Sequence, residues 1–587
     1  MVPILVRSAV LAGAVLIPPA ASAQARLAAG SAPPATVQRV DSAAVLRQAR
    51  SAQAAFEHFR YRQIPVSQSP QGSSQRCDDR VGRFCFWLDD DDEQDPPPEH
   101  RRVPPRRAEL IASLDRAAAA LPGDGWIAGQ RVRYLSEAGQ GERAVAAARE
   151  CRAQPWWCAA LEGYALHDAG RFAESEAAFT RALGRMPAAE REEWTDLLPL
   201  LPADGGRAWR RANAAEREAL ARRVWWLADP LWSEPGNDRW TEHATRWVFH
   251  RMQQRARTTE GLPWGADSGE LLVRYGRHVW WERYLRGTLM SPDGLVSYVK
   301  PRTSEFLPPL AAAMDPARLD ERAWEDDGVP DATRYAPAYA HRFVALPHDV
   351  AVFRRGAEAE LVAAYAMERD SLPPVPRIRA ALVTMADADA PAVVTRATAD
   401  AATGALRLRL APGATVVSLE VREDSTRIVG RWRQAMVLQP GEHASDLLLL
   451  GDAQARPATL DEAAPLARGS GTVAPGETVA VFWEMYDVPP ETDSIGVALQ
   501  LVPGQPGWGR RQLEAVGLAR AGRAVSMRWN EETQSGAVVG RSLGVRLPPD
   551  LRPGEYTLEV EVRVPGRAPA VIRRPLTVAR PREDGRR

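Results

Sequence analysis

Near Arg342 the apolar residues change period, and that change divides the chain into two kinds of architecture. Upstream, apolar residues recur every three or four positions, the spacing of a helix with one buried face. Downstream they alternate. Leu406-Arg407-Leu408-Arg409-Leu410, Val417-Leu419-Val421 and Tyr556-Leu558-Val560-Val562-Val564 each place every second side chain on one face of a strand. Pro440-Gly441-Glu442, Pro475-Gly476-Glu477 and Pro553-Gly554-Glu555 lie where turns precede strands. Short alternating strands with frequent turns predict antiparallel β-sandwiches. Residues 342–580 have room for two, with a division near Ala453 to Gly471. At 587 residues the chain is too long for one core, so a multidomain α + β organisation is expected.

The helical half has internal order. Two segments align at an offset of 31 positions: Trp126 with Trp157, Leu135 with Leu166, Ala138-Gly139 with Ala169-Gly170, and Ala146-Ala147 with Ala177-Ala178. The second copy, Gly163, Gly170-Arg171-Phe172, Phe179, Ala182-Leu183 and Pro187, resembles a tetratricopeptide repeat. In such repeats small residues let paired helices approach, and aromatics fill the gaps between hairpins. Asn213-Ala214-Ala215-Glu216 has the order of a capping box, and the helix it opens is expected to stop at Pro230. A helix over roughly Asp238 to Gln254 carries Trp240, Ala244, Trp247 and Val248 on one face. Leu271, Val273 and Tyr275 alternate after Gly265, which predicts a strand there, and another helix is expected from Pro316 to Trp324.

A run of motifs between Arg222 and Arg286 carries a family likeness. It holds Trp225-Trp226-Leu227-Ala228-Asp229-Pro230, then Asn237-Asp238-Arg239-Trp240-Thr241-Glu242-His243. Trp264-Gly265-Ala266-Asp267-Ser268-Gly269-Glu270 and Tyr275-Gly276 complete it. That order resembles the GWxTD-domain proteins, exported bacterial proteins of unassigned function. Pro263 stands where the motif has glycine and Ala266 where it has threonine. The resemblance implies an envelope protein with a GWxTD-like α/β module, and it implies no assigned catalysis.

The N-terminus agrees with export. Arg7, the apolar run Ser8 to Ile17 and the small residues Ala21-Ser22-Ala23 describe a signal peptide cut after Ala23, and the run is too short to span a bilayer. The expected division is a signal peptide over 1–23, a loosely ordered stretch over 24–109 and tetratricopeptide-like hairpins over 110–205. The GWxTD-like module follows over 206–341, then sandwiches over 342–455 and 456–580 and a basic tail over 581–587. The mature protein is expected in the periplasm or outside the cell, with no transmembrane anchor. Cys77, Cys85, Cys151 and Cys158 form two local pairs whose spacings do not suit a metal site, so disulfides Cys77–Cys85 and Cys151–Cys158 are expected, with Pro155 breaking the helix between the latter. Asp89-Asp90-Asp91-Asp92 runs into prolines and reads as a solvated linker rather than a calcium loop.

Catalytic chemistry is hard to find. Seventy-five basic and 75 acidic residues balance along the chain, which leaves no electrostatic case for nucleic acid. There is no nucleophile elbow, no phosphate-binding glycine loop and no HExxH, and no cofactor or metal is expected. His243 and His250 lie seven residues apart on one helix, too far along it to share a metal, and read as core histidines. Asp267 and Glu270 offer a carboxylate pair of the kind glycosidases use, while an Asp at a turn more often holds backbone amides. Thirteen of the 19 tryptophans fall between Trp126 and Trp281, three of the pairs adjacent, which is open to packing or to exposed stacking on a ligand. Two functions compete: a non-catalytic scaffold binding a protein or peptide partner, and a protein that binds or hydrolyses cell-wall glycan. On the first reading Trp225, Trp226, Asp229, Pro230, Asn237, Asp238, Glu242, His243, Trp264, Asp267, Gly269, Tyr275 and Gly276 are structural.

Overall fold

The computed structural model describes residues 41–67, 79–86, 96–284, 295–298, 304–320, 335–504 and 525–580, and from Ser42 onward the chain forms one compact unit. The signal peptide, Cys77, the Asp89–Asp92 run and the basic tail lie outside the described residues.

The N-terminal half is helical and the C-terminal half is built of largely antiparallel sheets. Helix α1 spans Ser42–Arg62 and α2 Val103–Ala120. Between them lie the strand β1 (Val66–Ser67) and a hairpin of β2 (Asp79–Val81) and β3 (Phe84–Phe86). Two helical hairpins follow: α3 (Gly125–Glu137) with α4 (Gly141–Arg149), and α5 (Pro155–Asp168) with α6 (Phe172–Arg185). Asp124 caps α3 by accepting from the amides of Trp126 and Ile127. The hairpins turn at Gly139 and Gly170, both at positive φ, where a Cβ would be strained. Gly163 lies under the Phe179 ring, where a Cβ would come within 2.9 Å. Pro155 opens α5, and Cys151 and Cys158 are joined by a disulfide with Cα atoms 5.6 Å apart, as the break at Pro155 predicts.

The remaining helices are α7 (Ala188–Thr195), α8 (Ala203–Arg211), α9 (Ala214–Ala228), α10 (Asp238–Gln253), α11 (Ala266–Tyr275) and the short α12 (Leu310–Met314). The capping box at Asn213 and Glu216 is formed. Two expectations fail here. Residues 266–275 form a helix, not a strand, because Ser268, Leu271, Leu272 and Tyr275 bury one face at helical spacing while Asp267 stabilises the first turn. Over the described part of the helix expected at Pro316 to Trp324 there is only a single 3₁₀ turn at Pro316–Arg318, just after α12, where Asp315 accepts from the Ala317 amide; residues 321–324 lie outside the described residues. Strands β4 (Trp280–Tyr284) and β5 (Leu295–Tyr298) pair with each other, and β1 joins β4 in parallel.

The β half contains two pairs of sheets. In the first, β10 (Val393–Ala399), β9 (Ile378–Met385), β12 (Gly413–Glu423), β13 (Ile428–Leu438) and β6 (Arg342–Ala345) form one sheet in that order. It faces β11 (Thr403–Leu410), β8 (Glu358–Ala366) and β7 (His348–Arg355). In the second, β14 (Leu448–Leu450), β16 (Thr478–Val488) and β19 (Gly536–Arg546) form one sheet. The other holds β15 (Thr472–Val473), β21 (Ala570–Val578), β20 (Gly554–Arg563), β17 (Ser494–Pro503) and β18 (Val525–Glu532). Each pair encloses its own apolar core. Strand β14 pairs with β16 although it lies upstream of the expected division at 455/456, so the chain passes between the sheet pairs before Leu448.

The two pairs are also packed on each other. Ala351, Phe353, Val362 and Ala364 turn their second face toward Leu448, Leu450, Ala480 and Phe482, with the Phe353 and Phe482 rings 6.1 Å apart. That double burial explains why β8 reads as a continuous apolar run rather than an alternation.

Candidate functional site

The motif residues divide between two places. The first is a joint where the helical half meets the first sheet pair. The end of α9 and the turn after it lay Trp226 and Trp232 against Ala381, Val383 and Val416, with their rings stacked 5.4 Å apart. Arg433, from β13, is buried there. Its Nη1 donates to the carbonyls of Leu227 and Asp229, both at 2.8 Å, and its Nη2 meets Glu420 Oε1 at 3.3 Å, with the guanidinium 3.9 Å above the Trp232 ring. Glu420 in turn accepts from the amides of Trp232 and Ser233, each at 2.9 Å. Pro230 gives its carbonyl to Arg431, and Asn237 caps α10 by accepting from the Trp240 amide while donating to the Trp225 carbonyl. Asp229 and Asp238 are both buried at this joint, and the Asp238 charge raises Asp229. Burial pushes both carboxyls up, further for Asp229 because of the Asp238 charge, while a hydrogen bond from Tyr335 restrains Asp238.

The second place is the docking of the β2–β3 hairpin on α11. Arg83 Nε donates to Asp267 Oδ2 at 2.6 Å and Arg83 Nη2 to Asp267 Oδ1 at 2.9 Å, and these bonds hold the Asp267 carboxyl down to about 2. The hairpin turn can approach this closely because Gly82 lies at positive φ with no Cβ to meet Asp267. The Phe86 ring stacks on Tyr275 at 3.7 Å, and Tyr275 Oη donates to Asp79 at 2.5 Å. Asp267 therefore acts through amide and guanidinium bonds at the start of a helix. Gly269 is needed for space rather than for an unusual φ, since a Cβ there would come within 2.3 Å of the His250 ring. Trp264 meets α10 through His250, donating from Nε1 to Nδ1 at 3.1 Å, and does not reach Trp240, which packs against Phe179. Asp267→Asn keeps the shape and loses the charge of a partly exposed pair. It should reduce stability by about 1 kcal/mol in urea unfolding and leave binding properties intact.

Histidine and tryptophan are mostly structural. His243 is buried, accepts from Trp247 Nε1 at 3.2 Å and has no partner at Nδ1 among the described residues. Burial, with Arg239 and Arg246 nearby, pushes it down to about 3, and burial takes His250 down to about 4. Trp156 and Trp157 are both buried, with Arg251 lying over both rings, so a helical pair need not send one member to the surface.

Trp280 and Trp281 are different. They alternate on strand β4, and both line a cavity of about 480 Å³ among α1, α2, α3, α10, α11 and the β4–β5 hairpin. Phe249, Trp264 and Tyr275 add to its aromatic wall. Its polar wall is a ring of ion pairs. Glu99 accepts from Arg107 at 2.5 and 2.7 Å, and Glu137 from Arg60 at 3.0 Å and Arg133 at 2.7 Å. Arg133 also reaches the buried Glu57, which takes further bonds from Tyr134 and Thr259. Glu242 is held by Arg246 at 3.1 Å and His167 at 3.0 Å, and Arg277 by Asp168 at 2.6 Å. Glu260 lies 3.2 Å from His278 Nδ1 and accepts from Trp281 Nε1 at 2.8 Å. Although burial opposes ionisation, these two bring its carboxyl down to about 2. Burial likewise opposes Glu137, and Arg133, Arg60 and Arg107 overcome it.

Of the expected site residues, Glu242, Trp264, Tyr275 and Gly276 line this cavity, whereas Asp267 and Glu270 do not. Sequence reasoning missed Arg60, Arg107, Arg133, Glu137, Glu260 and Arg277. The one legible signal was i,i+4 spacing of Arg133 with Glu137 and of Glu242 with Arg246, an arrangement common on solvated helix faces. Among the described residues no group of three or more His, Cys, Asp or Glu side chains could hold a metal, and no helix is long and apolar enough to cross a membrane.

No family model matches the chain, and no curated protein does either. Among solved structures it is similar to a Salmonella alpha-2-macroglobulin reacted with methylamine, at 9% identity and TM-score 0.19 over 39% of this chain and 23% of that one. It is also similar to a putative membrane anchored protein from Corynebacterium diphtheriae, at 12% identity and TM-score 0.15 over 40% of this chain and 59% of that one. A two-domain fibronectin type-III segment from chicken tenascin aligns at 14% identity and TM-score 0.12, over 40% of this chain and 99% of the segment. The chain thus spans less than two thirds of the first two, and at these TM-scores the likenesses say nothing about activity.

Proposed function

We propose that this is a non-catalytic, exported envelope protein that works as an interaction scaffold, with tetratricopeptide-like hairpins and a GWxTD-like module carried on two β-sandwiches. The observation that carries this reading is the joint at Arg433 and Glu420. It fastens the helical half to the first sheet pair with buried hydrogen bonds and stacked tryptophans, as a rigid presenter of surfaces requires. Hydrolysis of glycan is the weaker reading, because Asp267 is held by Arg83 and Glu270 is exposed beside Arg274, with neither carboxyl in the cavity. Paired affinity capture from periplasmic extract tests the scaffold. A protein partner captured by this chain, and capturing it in return, is the expected outcome. Release of soluble sugar from purified cell wall by the chain would overturn the non-catalytic reading.

A further inference from the structure

The cavity beside Trp281 takes no part in the joint that carries the scaffold reading. Its charges are already matched inside the protein: Glu99, Glu137, Glu242 and Glu260 each have a guanidinium or imidazole partner, and Arg277 has Asp168. A charged ligand would leave water and find no unpaired counter-charge waiting, which is unfavourable in a buried site. A hydroxyl both donates and accepts, so a ligand carrying several can bridge donor and acceptor atoms along such a wall without disturbing an ion pair. One donor of this wall has no partner of its own. Arg107 lines the cavity and is only 6% exposed, and its Nε, which presents almost no surface, has no hydrogen-bond partner among the described residues, with Glu137 Oε2 4.0 Å away. Beside these polar groups stand indoles whose positions are fixed. Trp281 is held by its bond to Glu260 and by Arg60, 4.9 Å above its ring, and Trp280 stacks on Tyr298 at 4.5 Å. Rigid aromatic groups beside clamped polar groups suit a molecule with apolar C–H faces and a hydroxylated rim. The size, about 480 Å³, lies within the roughly 300–1,000 Å³ of small-molecule sites.

We infer that this cavity binds a small, neutral, polyhydroxylated ligand, a mono- or disaccharide, through the Arg107 guanidinium and the indoles of Trp280 and Trp281. The site is independent of the scaffold reading and needs no catalysis.

Calorimetric titration of the full chain with D-glucose, N-acetyl-D-glucosamine and trehalose tests it, beside glutamate and inorganic phosphate as charged probes. The expected result is saturable binding of at least one neutral sugar and none of the charged probes. Affinity should fall at least about tenfold in Trp281→Ala and in Arg107→Gln, a loss on the scale of one buried hydrogen bond to a charged group. Glu270→Ala, outside the cavity, should bind as the parent does. Trp281→Phe keeps an aromatic face but loses the bond to Glu260, and should retain part of the affinity if Trp281→Ala fails to fold. Preference for glutamate or phosphate would overturn the inference. So would no saturable binding of any of the three sugars up to roughly 10 mM, or sugar binding unchanged in the folded Trp281 and Arg107 variants.

Discussion

Glu420→Ala should reduce stability by about 3–5 kcal/mol, the largest loss expected of any single substitution in the joint. Removing this carboxylate leaves the Arg433 guanidinium buried and without its ionic partner, and strips the amides of Trp232 and Ser233 of their acceptor at the same time. Glu420 lies on β12, on the outer face of the first sheet pair, while its partners Trp232 and Ser233 lie in the turn after α9. The loss should therefore appear as uncoupling of the two halves. Urea unfolding followed by circular dichroism should change from one transition toward two, and limited proteolysis should open the chain between residues 229 and 237. A parent-like midpoint with an intact single transition would show that the joint does not hold the halves together. Arg433→Met with Glu420→Leu removes both charges together and should recover part of the loss, since an apolar pair of similar size leaves no buried ion.

The second large effect is a pH dependence carried by His243. Its folded pKa, about 3, lies below the ordinary value near 6.5, because burial and the neighbouring guanidiniums of Arg239 and Arg246 disfavour the imidazolium. Below pH 6.5 the unfolded chain takes up a proton that the folded chain refuses. The contribution of His243 is therefore present above pH 6.5 and is lost as pH falls toward 3, by about 1.4 kcal/mol per pH unit. His250, brought to about 4, acts in the same direction over a shorter range. Asp229 and Asp238 act oppositely. Their folded pKa values are raised, so their contribution is present in acid and is lost as pH rises from the ordinary carboxyl range. Total stability thus sums opposing slopes, and the clean readout is a difference. The stability of the parent minus that of His243→Gln should rise by about 1.4 kcal/mol per unit from pH 4 to 6.5 and level off above. For Asp238→Asn the same difference should slope downward across that interval. Equal slopes in parent and His243→Gln would mean that His243 is not held neutral in the fold.

Much of this chain's local structure follows from short stretches of residues. The switch from helical to alternating period near Arg342, the capping box at Asn213, the 31-residue repeat of the hairpins and the Cys151–Cys158 bond around Pro155 are each written within a few tens of residues. There the decisive forces are local: periodic burial, end capping and the missing amide of proline. Residues 266–275 mark the border. Leu271, Val273 and Tyr275 fit a strand as well as a helix, and docking of Phe86 and Asp79 from a hairpin nearly 190 residues earlier favours the helical face. Gly269 likewise carries no local sign of why glycine is needed, and only the His250 ring from another helix shows that the requirement is space. The cavity was decided entirely at the tertiary level. Arg60, Arg107, Glu260, Arg277 and the α3 pair Arg133 and Glu137 come from separate stretches of the chain and look like surface charges in sequence. A guanidinium carries no local mark of being buried, because burial becomes tolerable only when distant carboxylates arrive to meet it.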